Sequence, residues 1–162
     1  MPVREPVGVR VKHTRLFGFA VALAVAVGGP LTVAGPAQAA TPAVEITKVY
    51  YNSPGSDTRS NTSLNAEYVK LTNRRSSTIN LKSWTLRDKS KHVYTFSGDV
   101  RLAKGASVYI HTGKGKNTST HRYWGSGNYI WNNTGDTAYL RNSAGTGIDS
   151  CSWGSKGSYT YC

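Results

Sequence analysis

The sequence predicts an all-β domain, a sandwich or a barrel of short strands. Three observations carry this prediction. No segment shows convincing helical periodicity, apolar and polar residues alternate over short runs, and turn-forming residues separate those runs about every 8–12 residues. Glycine, serine, threonine, asparagine and tyrosine dominate the chain after residue 40. About seven to nine alternating runs can be counted, as expected for a small sandwich or barrel.

Residues 1–39 are predicted to be a secretory signal peptide. Four basic residues precede an apolar run of 12 residues, 16–27, and small residues follow up to Ala39 and Ala40. A basic start, a short apolar region and an A-x-A site are typical of such a peptide, and we expect cleavage after Ala39. The run is shorter than the ~20 residues needed to span a bilayer, so no transmembrane anchor is expected. The protein is therefore predicted to be secreted, with its folded domain at residues 40–162.

The chain is strongly basic. Its formal net charge is +12, and after residue 39 it has 16 Lys and Arg against 7 Asp and Glu, a charge of +9. A cationic secreted protein favours anionic partners such as wall polymers, nucleic acid or acidic lipids. A soluble surface without a specific partner explains the same charge.

The only two cysteines, Cys151 and Cys162, lie near the C-terminus. An even count in a secreted chain indicates a disulfide. A metal pair or a redox dithiol is the alternative, but metal sites usually have nearby histidines and redox motifs have C-x-x-C spacing. We therefore predict a disulfide that closes the tail onto the last strand.

The first predicted strand spans 44–51, with Val44, Ile46 and Lys48 on one face. A polar loop is predicted for 52–65 and a strand for 66–73. In that second strand Glu67 is in phase with the inward-facing Val69 and Leu71. A buried carboxylate without partners is costly, so Glu67 is expected at the edge of the core, accepting hydrogen bonds from backbone N–H groups.

Further short strands are predicted at 79–81, 84–88, 93–96 and 107–111, with a last one near 146–153. Trp84 and Leu86 share a face, which indicates a core role for this tryptophan. Tyr109 and His111 alternate with apolar residues and should face outward. A second polar loop is predicted at 112–120.

The stretch 130–140 organises the end of the chain. Ile130 and Trp131 lead into the polar turn Asn132–Asp136, whose Asn, Gly and Asp residues suit turn conformations. An alternating strand follows, with Ala138 and Leu140 on one face and Tyr139 and Arg141 on the other.

The order of these motifs resembles that of the lamin tail domain. The segments that carry the resemblance are 67–73, 79–88, 102–110 and 131–140, and the similarity covers nearly all of residues 44–150. It implies an immunoglobulin-like β-sandwich that serves as an interaction module and has no catalytic residues to carry over. In nuclear lamins this domain contacts chromatin and partner proteins, which a secreted copy would not meet. The positions matching the family motif are Glu67, Val69, Leu71, Trp84, Leu86, Trp131, Gly135, Asp136 and Leu140.

No catalytic, metal or cofactor motif is found in the sequence. A metal-dependent hydrolase requires clustered metal ligands such as those of an H-E-x-x-H motif, and no such motif occurs in the sequence. His111 and His121 could meet across the 112–120 loop, but lone histidines on polar strands are usually solvated. We therefore expect no cofactor, no bound metal and no enzymatic activity.

A basic and aromatic surface is the better functional candidate, because polyanions bind basic groups and exposed aromatic rings accept sugars or bases. The outward-facing strand residues that would contribute to it are Tyr68, Lys70, Tyr109, His111, Tyr139 and Arg141. The basic residues predicted to bind a polyanion are mostly in turns: Arg74, Arg75, Lys82, Lys89, Lys91, Lys114, Lys116 and Arg122.

Three hypotheses about function remain open at this point. The first is a secreted, non-catalytic binding module for a macromolecular partner, such as a cell-wall polymer, nucleic acid or extracellular protein. The second is a small metal-dependent hydrolase, most plausibly a nuclease. The third is a protein antagonist or adhesion subunit that uses a sheet edge or the 52–65 loop. The oligomeric state is not indicated by the sequence.

Overall fold

The computed structural model describes residues 40–162. The predicted signal peptide at 1–39 therefore lies outside the described residues. No helix in the described part of the chain is long and apolar enough to cross a membrane. The elements in chain order are β1 (Val44–Tyr50), α1 (Asn61–Ala66), β2 (Tyr68–Asn73), β3 (Ile79–Asn80), β4 (Thr85–Arg87), β5 (Val93–Thr95), β6 (Arg101–Leu102), β7 (Ser107–His111), β8 (His121–Tyr123), β9 (Asp136–Arg141), β10 (Gly147–Trp153) and β11 (Tyr159–Tyr161).

Two main sheets form the domain. The larger has five strands in the order β11-β1-β2-β7-β8, and the smaller has four in the order β10-β9-β4-β5. A short pair, β3-β6, forms a third sheet. All pairings are antiparallel except that of β7 with β8, which is parallel.

One hydrophobic core lies between the two main sheets. The five-stranded sheet supplies residues such as Ile46, Val69 and Ile110, and the four-stranded sheet supplies Leu86 and Leu140. All five side chains are at most 1% exposed. The strands alternate buried and partly exposed residues, so each sheet has one face on the core and one towards solvent.

The predicted fold class, an immunoglobulin-like all-β sandwich, is confirmed. The described chain has eleven strands instead of the seven to nine expected. The three strands that were not predicted are short: β6 has two residues, and β8 and β11 have three each. Runs this short carry too little alternation to be recognised in a sequence.

The loop predicted for 52–65 contains a helix, so that prediction was wrong for its last residues. Ser60 caps α1, its side chain accepting a hydrogen bond from the backbone N–H of Ser63 at 3.2 Å. Leu64, 3% exposed, anchors the helix to the domain. Six residues with a single buried side chain give no periodic signal.

The face assignment of the first strand was wrong after Ile46. The pairing of β1 with β2 shifts by one residue between Ile46 and Lys48, which marks a β-bulge. A bulge inserts one residue and moves all later side chains to the opposite face. Val49 therefore enters the core, and Lys48 faces outward with Tyr50.

The predicted disulfide between Cys151 and Cys162 is present, with the two Cα atoms 5.9 Å apart. Cys151 lies in β10 of the four-stranded sheet, and Cys162 follows β11 of the five-stranded sheet. The bond therefore connects the two sheets at the end of the chain. β11 also pairs with β1, Tyr161 opposite Lys48.

Candidate binding face

The outer face of the five-stranded sheet carries two parallel rows of aromatic and basic side chains. The strand registers place one residue from each of the five strands in each row. The ten residues together are called the tyrosine face below. The first row is Tyr161, Lys48, Lys70, Tyr109 and His121; the second row is Tyr159, Tyr50, Tyr68, His111 and Tyr123.

The rows run across the strands, not along them. Neighbouring strands lie 4.7–4.9 Å apart, so five strands place the ends of a row about 19 Å from one another. The first row has its two lysines next to the sheet centre, with tyrosines on both sides. The second row has no lysine. The tyrosine face is therefore an elongated platform with its positive charge near the middle.

The rings of the second row contact one another in sequence. The centroid of Tyr50 lies 5.6 Å from that of Tyr159 and 5.6 Å from that of Tyr68. Tyr68 lies 5.8 Å from His111, which lies 5.2 Å from Tyr123. Such ring pairs on one sheet face stabilise the sheet by about 0.2–1 kcal/mol each. The row is thus a packed surface as well as an exposed one.

Lys48 lies among four tyrosine rings. Its Nζ atom is 4.2 Å from the ring centroid of Tyr159, 5.2 Å from that of Tyr161 and 5.3 Å from that of Tyr50, with Tyr68 at 5.9 Å. Distances below about 6 Å allow cation–π attraction. Burial acts to lower the pKa of Lys48, but the hydroxyls of Tyr68 and Tyr161 outweigh it and raise this pKa. Lys48 is accordingly held as an ammonium ion on the platform.

A groove of about 490 Å³ opens at the first row. Lys48, Lys70 and Arg74 supply its cationic groups, and the guanidinium of Arg74 forms an ion pair with Glu45. The Nζ atom of Lys70 is 5.7 Å from the ring centroid of Tyr109. Three cations and one anion give the groove a net positive charge. This arrangement suits an anionic group of a ligand.

His111 and His121 form a hydrogen-bonded pair at the β8 edge of the tyrosine face. Nε2 of His111 lies 2.9 Å from Nδ1 of His121, and Nδ1 of His111 lies 2.7 Å from the carbonyl oxygen of Asn65. Because a carbonyl only accepts, Nδ1 of His111 must carry the proton, and its Nε2 accepts from His121. Burial lowers the pKa of His111, and the neighbouring His121 acts in the same direction. These hydrogen bonds occupy both ring nitrogens of His111 and Nδ1 of His121, and they hold the two rings in place.

Glu67 is a structural carboxylate behind this face. It is fully buried and accepts hydrogen bonds from the N–H groups of Ile130 and Trp131, each at 3.1 Å, and from the hydroxyl of Thr112. Burial raises its pKa to about 7, although these hydrogen bonds act to lower it. The structure thus places it where the sequence suggested, at backbone N–H groups. Its role is to join the start of β2 to the segment before β9.

The other family-motif positions mostly belong to the core or to the turn before β9. Val69, Leu71, Leu86, Trp131 and Leu140 are buried, and Trp84 packs half-buried against the same core. Asp136 is 4% exposed and accepts hydrogen bonds from the backbone N–H groups of Asn132, Lys89 and Thr137. Gly135 has a φ of +129°, which L side chains rarely adopt. These positions therefore stabilise the fold.

The basic turn residues proposed from the sequence are not brought together. Arg74 alone lines the groove, with Arg75 next to it in the chain. Lys82 precedes β4, and the β4–β5 and β7–β8 connections hold two lysines each. Arg122 alternates with His121 and Tyr123, so it points away from the tyrosine face and interacts with Tyr94 of the other sheet. The eight residues are Arg74, Arg75, Lys82, Lys89, Lys91, Lys114, Lys116 and Arg122.

The sequence interpretation missed six of the ten residues of the tyrosine face. Tyr68, Lys70, Tyr109 and His111 were expected to face outward, and they do. Tyr139 and Arg141, grouped with them, lie on the four-stranded sheet instead. Lys48 was missed because of the bulge, and Tyr159 and Tyr161 because β11 was not recognised. The alternation Tyr159-Thr160-Tyr161 was the only available signal for the last strand.

Within residues 40–162, no group of three or more His, Cys, Asp or Glu side chains could hold a metal ion. The histidine pair supplies two imidazoles and no third ligand of these types. The candidate site on the described chain is the tyrosine face, made of tyrosine rings, hydroxyls, imidazoles and ammonium groups.

The fold and this face define a class: an immunoglobulin-like β-sandwich with a broad binding surface on one sheet. The family model named Lamin Tail Domain matches residues 37–155. The chain therefore belongs to the lamin tail domain family, as its motif order suggested. No curated protein matches it in sequence.

Proposed function

We propose that this protein is a secreted, non-catalytic binding module whose tyrosine face binds a polyanionic macromolecule outside the cell. The observation that carries the proposal is the groove in which Lys48, Lys70 and Arg74 converge among tyrosines. Membership of a family of non-enzymatic domains supports a binding role. The expected signal peptide and the disulfide support an extracellular location.

The proposal uses a different set of basic residues from the one suggested by the turns. Lys48 and Lys70 are direct cross-strand partners, so their charges lie side by side on a rigid sheet. Flexible turn lysines lose more side-chain entropy when they bind. A cationic pair on strands is thus the better anchor for a polymer.

Retention on immobilised heparin, single-stranded DNA and neutral dextran across a salt series tests the proposal. We expect the purified protein to bind both anionic columns and not dextran. Retention should fall steeply as salt rises, because bound polyanions release counterions. A protein that washes off both anionic columns at low salt would overturn the proposal. Retention that ignores salt would point to an uncharged or protein partner instead.

A pair of double variants locates the binding surface. Lys48→Met with Lys70→Met removes two charges from the tyrosine face and keeps the aliphatic stems. Lys82→Met with Lys89→Met removes two charges from exposed residues outside the five-stranded sheet. The first double variant should elute at clearly lower salt than the second. Equal shifts would mean that net charge, not this face, drives retention.

Secretion is tested separately. N-terminal sequencing of the protein recovered from the medium of a secreting bacterial host should begin at Ala40. Recovery of the intact N-terminus from the cells alone would contradict the expected signal peptide.

A further inference from the structure

We propose that the ligand of the tyrosine face is a linear anionic polysaccharide that lies across the five strands along the first row. This inference rests on the proposed function. It gives the ligand a chemical class and an orientation across the strands of the sheet. The inference follows from the shape of the face, from the exposure of its ring faces and from the groups that border it.

The shape indicates an extended ligand. The first row contains one residue from every strand of the sheet and has a length of about 19 Å by the usual strand spacing. Its charged centre is flanked by Tyr161 on one side and Tyr109 on the other. A small anion would use only the centre. A linear chain uses the whole row.

The ring faces argue against stacked nucleic acid bases. Base stacking on protein requires open aromatic faces. Here the ammonium groups of the chain itself lie over rings: Lys48 Nζ at 4.2 Å from the centroid of Tyr159, and Lys70 Nζ at 5.7 Å from that of Tyr109. Tyr68 and Tyr109 also pack edge to face, at 5.5 Å and 68°. The platform therefore presents ammonium groups, phenolic hydroxyls and ring edges more than free faces.

A strip of hydroxyl groups borders the first row on the side away from the second. Thr47 and Thr72 are joined at 3.0 Å between their Oγ1 atoms, and Thr72 and Ser107 at 2.9 Å between Oγ1 and Oγ. Thr47 also lines the groove. Hydroxyls both donate and accept hydrogen bonds, as the hydroxyls of a sugar do. Thr72 is only 6% exposed, so the partly exposed hydroxyls of Thr47 and Ser107 are the ones that a sugar can reach. They lie beside the ammonium groups that would bind the acidic substituents.

Three probes with different chemistry test the ligand class: hyaluronan oligosaccharides, poly-glutamate and oligo(dT), compared at one salt concentration by calorimetry or fluorescence anisotropy. Hyaluronan and poly-glutamate both carry carboxylates, but only the first has sugar rings. We expect hyaluronan to bind at least about tenfold more tightly per charge than either competitor, the effect of one or two hydrogen bonds to its sugar hydroxyls. Equal or tighter binding of oligo(dT) or poly-glutamate would overturn the polysaccharide assignment and leave the proposed function intact. Binding of none would overturn both.

A length series tests the direction. Affinity for hyaluronan oligosaccharides should rise with chain length and level off once the chain spans the row. Tyr161→Ala removes one end of the row at a residue that is 70% exposed, so the fold should be unaffected. The gain in affinity from short to long oligosaccharides should be smaller in this variant than in the parent. Val93→Ala, at an exposed residue of the four-stranded sheet, is the control and should keep that gain. An unchanged length profile in Tyr161→Ala would refute the placement across the strands.

Discussion

The side chain of Glu67 accepts a hydrogen bond from the backbone N–H of Trp131, 64 residues later in the chain, at 3.1 Å. The same carboxylate also binds the N–H of Ile130 and the hydroxyl of Thr112. It thus satisfies buried donors of two separate segments that have no strand partner for them. This is why a carboxylate is tolerated at a fully buried position.

Glu67→Gln should destabilise the domain by about 1–3 kcal/mol, because the amide NH₂ would face one of these donors and leave it unsatisfied. The measurement is urea unfolding at pH 8, above the folded-state pKa of Glu67, where its carboxylate only accepts hydrogen bonds. Glu45→Gln is the control. Its side chain is partly exposed and pairs only with Arg74, and surface ion pairs contribute at most about 1 kcal/mol. Equal losses in both variants would contradict the role given to Glu67.

Stability should fall as pH rises from about 4.5 to about 7, because burial raises the folded-state pKa of Glu67 from 4.5 to about 7. The folded state favours the protonated form of Glu67. The stability that this provides is therefore complete below the unfolded-state pKa and is lost as the pH rises through the folded-state pKa. Thermal unfolding across this range measures the slope. Glu67→Gln should remove most of this fall. A smaller fall remains from Asp149, whose pKa burial also raises, together with a rise up to about pH 6.5 from His111, whose pKa burial lowers. A parent protein with constant stability between pH 5 and 7.5 would contradict this prediction.

The sequence predicted the parts of the fold that depend on local alternation. Strands such as β2, β7 and β9 bury the residues expected of them, and the turn at 132–136 lies where Asn, Gly and Asp indicated. The bulge in β1 was not predictable, because it depends on pairing with β2 and leaves no mark in composition. The candidate site was the part of the structure that the sequence predicted least well. Its rows are set by register between five strands, and residues as distant as Lys48 and Tyr161 become neighbours only through that pairing.

Asp136→Ala should cost about 2–3 kcal/mol, since it leaves the N–H groups of Lys89 and Asn132 without their acceptor in a partly buried turn. The hydrogen bond from the backbone N–H of Lys89 also connects the β4–β5 turn to β9. Unfolding by urea compares this variant with Asp57→Ala, which changes an exposed aspartate in the loop after β1. Asp57→Ala should change stability by less than about 0.5 kcal/mol. A similar small effect for Asp136→Ala would show that water replaces the carboxylate without loss.

Gly135→Ala should destabilise the same turn by about 1–3 kcal/mol, for two reasons. The φ of Gly135 is +129°, and an added Cβ would lie 3.2 Å from the carbonyl oxygen of Trp153. Gly127→Ala is the matched control, because that glycine has no such φ and open space around its Cβ position. Thermal melting should separate the two variants by several degrees. Equal melting temperatures would show that the turn adapts freely.

Removing the disulfide should lower the free energy of unfolding and should also weaken ligand binding. The two effects are measured separately. The bond closes a short ring, since Cys151 and Cys162 are 11 positions apart, and the chain-entropy model gives about 3 kcal/mol for a ring of this size. The double variant Cys151→Ser with Cys162→Ser should therefore unfold at lower urea concentration.

The same double variant should also bind polyanions less tightly at temperatures where it stays folded. β11 then remains attached to the sheet by only three register pairs, so Tyr159 and Tyr161 are less firmly held beside Lys48. A variant that loses stability but keeps full affinity would show that β11 stays docked without the bond.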